Sequence, residues 1–307
     1  QPFSLGGKHR AHRDTRDMFP EAVRAVRELR PQCFVFENVK GLLRQSFSSY
    51  FNYIILQLTY PLLTRKADEN WETHLSRLER HHTGSREDDL CYRVVYRLLD
   101  AADYGVPQHR HRVFIVGFRS DLQKEWCFPN PTHSFDRLLW DQWVSGSYWD
   151  EHRVANKARP LINEKMADRI ARLQSDFPFF PPPGERCRTV RDALSGLSDP
   201  RNRHSGIANH EFRGGARPYP GHTGSSLDTP SKTLKAGDHG VPGGENMMIL
   251  PDGTCRYYTV RESARIQTFP DDYVFSGSWT EAMRQIGNAV PVDLAATVGQ
   301  SILKQIV

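Results

Sequence analysis

Two short uninterrupted apolar runs, Cys33-Phe34-Val35-Phe36 and Val113-Phe114-Ile115-Val116, set the tightest limit on how this chain folds. Each has the pattern of a buried strand in a parallel sheet. Apolar residues at helical spacing surround them. Met18, Phe19, Ala22, Val23, Val26 and Leu29 predict a helix over Asp17–Arg30, which Pro31 ends. Tyr50, Phe51, Ile54, Ile55 and Leu58 predict another over Ser48–Thr59, and Trp71, Leu75 and Leu78 mark a surface helix. Tyr92–Leu99 alternates as a strand does. Strands alternating with helices imply an α/β layer fold.

The character changes after Arg119. Phe128-Pro129-Asn130-Pro131, Pro181-Pro182-Pro183-Gly184 and Asp199-Pro200 punctuate short irregular elements, and ten glycines fall between Gly206 and Gly253. Residues 119–257 therefore read as a separate, loop-rich lobe. Helical order returns over Val260–Gln267 and from Trp279 onward. The chain of 307 residues is long enough for a sizeable core, and no apolar run approaches the ~18–20 residues of a membrane span. With no charged-then-apolar leader, no membrane partner is expected and a cytoplasmic location is. The five cysteines are scattered without a C-x-x-C pair, which argues for a reducing compartment and against disulfides or a metal site. A net charge of +5 is compatible with a polyanionic partner.

Three groups of residues could carry chemistry. Glu37-Asn38-Val39 follows the first apolar run directly. A carboxylate at the carboxyl end of a strand sits where α/β folds place ligands, and partial burial there would favour a proton donor. Taken alone, the tripeptide reads first as a capping or surface glutamate. Gln108-His109-Arg110-His111-Arg112 places two arginines on one side of an extended chain, suited to phosphate or a base carbonyl, or simply to a charged surface. Arg261-Glu262-x-x-Arg265 allows a Glu262–Arg265 pair on a helix, and Gly287-Asn288-Ala289-Val290-Pro291 forms a tight turn before the last helix.

In combination, these motifs resemble the C5-cytosine DNA methyltransferases over nearly the whole chain except the 119–257 lobe. Gln1-Pro2-Phe3-Ser4 resembles the tail of that family's Pro-Cys-Gln motif, and Glu37-Asn38-Val39 its Glu-Asn-Val motif. Tyr104–Arg112 resembles its Gln-x-Arg-x-Arg motif, while Arg261–Pro270 and Gln285–Pro291 resemble its last two. Thr233-Leu234 is similar to a pair near the end of its target-recognition domain.

The resemblance implies part of a doubly wound, Rossmann-like sheet that binds S-adenosyl-L-methionine, plus a smaller target-recognition domain. On that basis 1–118 belongs to the catalytic domain, 119–257 is the recognition lobe, and 258–307 returns to the catalytic domain. It implies double-stranded DNA as partner and methylation at C5 of a flipped cytosine, in the manner of restriction-modification enzymes. Glu37 is then expected to protonate or hydrogen-bond N3 of the base. Arg112 is expected to hold its carbonyl oxygen and orient Glu37, with Arg110 as companion. Asn288 and Val290 are expected to touch the cofactor, and Ser4, Lys8, Arg16 and Thr233 to face DNA. Arg201, Arg203, Arg213 and Arg217 in the lobe fit phosphate, guanine or plain surface.

No cysteine stands in a Pro-Cys context, so the chain is expected to be a C-terminal piece, inactive alone, whose nucleophile precedes Gln1 or comes from another polypeptide. A non-catalytic DNA-binding subunit of a split enzyme is the alternative. The tRNA-methylating branch of the family is a third, disfavoured by the large Pro/Gly-rich lobe.

Overall fold

The computed structural model describes residues 17–84, 89–202, 206–219, 223–236 and 246–306. The chain divides into two compact units. The first comprises residues 1–99, 111–128 and 301–307, and the second comprises 100–110 and 129–300.

In the first unit, helix α1 (Phe19–Leu29) leads into strand β1 (Cys33–Val39). Two single turns of 3-10 helix then precede α2 (Ser48–Thr59), followed by α3 (Trp71–Thr83), β2 (Tyr92–Asp100) and β3 (His111–Arg119). The helices predicted at 17–30 and 48–59 are thus present. α1 buries Phe19, Val23 and Val26, at the helical spacing of its sequence. The sheet order is β1-β3-β2. As the central strand, β3 is buried on both faces from Val113 to Phe118, which accounts for its uninterrupted apolar run.

The parallel reading of Cys33–Phe36 is corrected by the structure: β1 pairs antiparallel to β3, with Cys33 opposite Phe118 and Val39 opposite Arg112. A run of four apolar residues fixes burial, not strand direction. Burial itself is one-sided here, for Phe34 is sealed while Val35 is 43% exposed. Phe34 lies opposite Gly117 and its ring occupies the space that a side chain at 117 would need.

α1, α2 and α3 enclose one core with Phe34, Tyr92, Val113 and Ile115. α3 is more than a surface helix. His74 and Leu78 are buried, and His74 bridges the Tyr53 hydroxyl at 2.9 Å and the Leu63 carbonyl at 2.7 Å. On the other side of β3, Phe118, Trp126 and Phe128 stack in sequence, and Arg97 sits over the Phe128 ring.

The second unit is built of shorter pieces: α4 (Phe135–Leu139), α5 (Ser147–Glu151), α6 (Glu164–Asp176), α7 (Val190–Leu194), α8 (Val260–Ile266) and α9 (Trp279–Asn288). The final helix, α10 (Val292–Ile306), begins in this unit and ends in the first. The irregularity expected of 119–257 holds except at α6, a 13-residue helix capped by the Asn163 side chain on Met166 N–H. Helices α7, α8 and α9 each begin with a capping box: Thr189 with Asp192, Thr259 with Glu262, and Ser278 with Glu281. These three helices share one core with Leu234, Met248 and Tyr258.

Gly117→Ala places a Cβ 2.9 Å or less from the Phe34 ring, so it forces the ring out of the core. We expect a loss of about 1–3 kcal/mol, as for other overpacked sites, read from urea unfolding. An unchanged midpoint would show that the ring moves aside freely.

Candidate functional site

Glu37 lies near the end of β1, opposite Phe114, and Arg112 opposite Val39. The offset of two positions puts both side chains on one face of the sheet. Arg112 Nε meets Glu37 Oε1 at 2.6 Å, with side-chain exposures of 11% and 21%. Burial lowers the guanidinium pKa, opposed by Glu37. Arg112 also donates to the His111 carbonyl at 2.9 Å. Its burial and fixed partner remove the plain-surface reading for this arginine. They make the pair a rigid, directed carboxylate–guanidinium unit able to grip a planar polar ligand.

Arg110 has a different set of partners, all in the second unit. It is fully buried, with Nη1 donating to Leu234 O at 3.0 Å and Nη2 to Gly287 O at 2.5 Å and Ala289 O at 2.9 Å. A second line of contacts runs through two buried amides that the sequence reading passed over as chemistry. Leu234 N–H donates to Gln108 Oε1 at 2.9 Å, and Gln108 Nε2 donates to Gln267 Oε1 at 3.1 Å. Gln267 Nε2 in turn donates to Ile286 O at 2.7 Å. Thr233, expected to face DNA, donates its hydroxyl to His109 O at 2.6 Å and is part of the same seam.

Gly287 fits because a Cβ there would stand 2.5 Å from Lys235 C and 2.7 Å from Ala236 Cα. Beyond it, the Asn288 side chain is exposed and makes no hydrogen bond among the described residues, and Val290 is half-buried. Asn288 ends α9 instead of lying in a free turn, and Val290 stands two residues beyond it, with the Ala289 carbonyl that Arg110 holds between them.

Arg261 is also fully buried and donates to the carbonyls of Ala208, Pro270 and Tyr273 at 2.9–3.2 Å. The expected Glu262–Arg265 pair is replaced. Glu262 caps its own helix through Thr259 N–H and receives both arms of Arg256 at 2.6 and 2.7 Å. Arg265 turns instead to Asp271, at 2.5 and 2.8 Å. Three-residue spacing permits a helical pair, but the capping role takes the carboxylate first.

Ser4, Lys8, Arg16 and Arg203 lie outside the described residues. Of the cysteines, Cys33 is pushed up to about 11 and Cys187 to about 12 by burial, so neither is a ready thiolate. Among the described residues, Glu151, His152 and Asp192 come together with metal-like spacing, but Arg186 already bridges Glu151 and Asp192.

The family model for C-5 cytosine-specific DNA methylase matches residues 1–60 and 72–304. The chain belongs to that family. It is 30% identical over 318 residues to the Type II methyltransferase M.SacI of Streptomyces achromogenes, covering 99% of this chain and 70% of that protein. It is 27% identical over 303 residues to M.AplI of Arthrospira platensis, covering 98% and 65%. The chain thus spans about two thirds of the length of these relatives. A solved structure of a Spodoptera frugiperda DNMT2 mutant shares the fold, at a TM-score of 0.51 and 14% identity over 99% of this chain and 76% of that one.

Dependence on S-adenosylmethionine is a property of the C-5 cytosine-specific DNA methylase family. The match leaves out 61–71, the connection that carries the chain from α2 into α3. No helix among the described residues is long and apolar enough to cross a membrane.

The seam yields two expectations. Gly287→Ala must displace backbone at Lys235–Ala236, so unfolding should fall by about 1–3 kcal/mol, as for overpacked sites generally; a parental urea midpoint would refute the close approach. His109 donates or accepts through Nδ1 with Asp100 at 2.8 Å, and this hydrogen bond, opposed by burial, raises the imidazole above its usual 6.5. A raised folded pKa means that the pair stabilises fully below the unfolded value and that this share is lost as pH rises through the folded one. The melting temperature should therefore drop from pH 6 to pH 8.5 by more in the parent than in His109→Gln, and equal drops would count against the pair.

Proposed function

We propose that the whole protein transfers a methyl group from S-adenosyl-L-methionine to C5 of a cytosine flipped out of a specific duplex DNA site, in a restriction-modification setting. The observation that carries this reading is the Glu37–Arg112 pair at 2.6 Å, set at the end of β1 in a chain of the cytosine-C5 family. The Type II names of the relatives support the restriction-modification setting.

In this reading Glu37 meets N3 of the flipped base, as a proton or hydrogen-bond donor, and makes attack at C6 easier. Arg112 holds the carboxyl group in place and offers its remaining N–H groups to the base carbonyl. Arg110 acts as a positioning residue, since its guanidinium is committed to Leu234, Gly287 and Ala289. Asn288 and Val290 fit the cofactor's methionine end: a carboxamide with no hydrogen bond among the described residues and an apolar side chain, at a helix end whose carbonyls are held by Arg110. S-adenosylmethionine, when bound, supplies the electrophilic methyl group. We assign the attacking thiolate to none of the five cysteines of this chain.

Residues 1–118 and 258–307 then serve catalysis and 119–257 target recognition, with Ser4, Lys8, Arg16 and Thr233 on the DNA side. Thr233 contributes there through position, because its hydroxyl is engaged by His109 O.

The test is tritiated methyl transfer by the full-length protein to duplex DNA and, separately, to tRNA. Label at cytosine C5 of DNA is expected, and transfer to tRNA alone would overturn the substrate. Glu37→Gln keeps an acceptor for Arg112 but loses the acid, so turnover should fall by ~10²–10⁴ with DNA affinity and melting temperature kept. Turnover within a few-fold of the parent would remove Glu37 from the chemistry.

A further inference from the structure

Most arginines around the core of the second unit already have carboxylate partners. Arg191 forks onto Asp228, Arg201 onto Asp199, Arg256 onto Glu262 and Arg265 onto Asp271. The segment from Glu211 to Tyr219 departs from this pattern. Residues 211–218 form no helix or strand, and only Ala216 of the nine is less than exposed. Arg213 and Arg217 have no carboxylate partner among the described residues, and Glu211 pairs with neither. Two large rings, Phe212 at 47% and Tyr219 at 45%, are exposed beside them.

Such a segment could be a solvated loop, but it is tethered. The Arg213 guanidinium lies 4.4 Å from the Trp279 ring centroid. Trp279 is itself fixed, by its indole N–H on Tyr258 O at 3.2 Å and by the Tyr257 ring at 5.6 Å. Farther along, Ala216 O accepts from Cys255 Sγ at 3.6 Å. Stacking on an indole holds a guanidinium by its face and leaves its in-plane N–H groups available. The chain thus holds two cations without a carboxylate partner among the described residues, and two exposed rings, on a tethered segment, which limits the ordering entropy lost on binding.

We infer that Phe212–Tyr219 is a phosphate-gripping edge for duplex DNA, with Arg213 and Arg217 as separate contacts. Four residues apart in sequence, with Gly215 at φ +86° between them and Arg213 stacked on Trp279, they are assigned two contacts, not one. Phe212 and Tyr219 supply apolar contact beside the sugars. The inference rests on the methyltransferase reading and assigns to this strip a share of its DNA affinity, without base specificity.

The experiment measures binding of the full-length protein to a mixed-sequence duplex across a salt series. Each phosphate contact contributes about 0.9 to the slope of log K against log salt. Arg217→Ala should lower that slope by about 0.9 and the Arg213→Ala/Arg217→Ala pair by about 1.8, alike on unrelated sequences. Arg201→Ala, whose charge Asp199 already meets, should leave it unchanged. Melting temperatures report folding, and Arg217→Ala should match the parent because no hydrogen bond, ion pair or ring contact holds that side chain among the described residues. Parental slopes in both variants, with the parent binding duplex normally, would overturn this inference alone. So would a loss confined to single-stranded DNA or tRNA. A parent that binds no duplex would instead overturn the methyltransferase reading itself.

Discussion

The second unit depends on a cation sealed from water. Arg110 is fully buried, and its two terminal nitrogens donate to backbone carbonyls of Leu234, Gly287 and Ala289. Residues more than 120 positions away in sequence are thereby fixed to one side chain. Loss of a buried donor costs about 1–3 kcal/mol per acceptor, and of the three Ala289 O has a second donor in Gln267 Nε2 at 3.3 Å. The planar fork suits the task because it presents several donors in fixed directions, which a lysine cannot do. Gln108 and Gln267 complete the seam because an amide both accepts and donates. One chain of contacts passes from Leu234 N–H to Ile286 O without a break, where a carboxylate would have stopped it.

Rigidity of this kind has a consequence for chemistry. With the carbonyls of Gly287 and Ala289 held by Arg110, and backbone packed against Gly287, the end of α9 is fixed without a hydrogen bond from the Asn288 side chain among the described residues. The first unit reaches the same end by other means. Strand register places Glu37 and Arg112 on one face, and the ion pair then fixes both rotamers. Sites held within a small tolerance by their supporting shell lose less on binding than sites that must be ordered by the ligand.

Much of this was legible in the chain. Helical spacing located α1 and α2, and the uninterrupted run at Val113–Val116 marked the strand that ends up central. Strand direction was not legible, because Cys33–Phe36 records which residues avoid water and says nothing of the partner's polarity. Nor was the partner of Glu262, for helical spacing to Arg265 is only one claim on a carboxylate that also stands at the third position after a threonine cap. The buried amides left no trace in any periodicity. Gln108 and Gln267 lie 159 positions apart, and each looks locally like a polar residue beside an apolar stretch. α6 escaped for a related reason: its burial rests on Leu173 alone, so the flanking prolines dominated the pattern.

The arginines show what a motif encodes. Arg110 and Arg112 are spaced as a pair that should act together, yet one is committed to carbonyls and the other to a carboxylate. Arg261 repeats the first pattern with Ala208, Pro270 and Tyr273, while Arg213 and Arg217 follow neither. A guanidinium keeps its charge in all of these settings, so its role is decided by how much of its donor fork the fold consumes. Sealed with three acceptors, it is a structural bolt. Met by one carboxylate oxygen and one carbonyl, as Arg112 is, it fixes the Glu37 carboxylate, and in the proposed function its remaining donors serve the base. Held only by its face on an indole, it has its hydrogen bonds still to make, and a polyanion is the partner that can make them without specifying sequence.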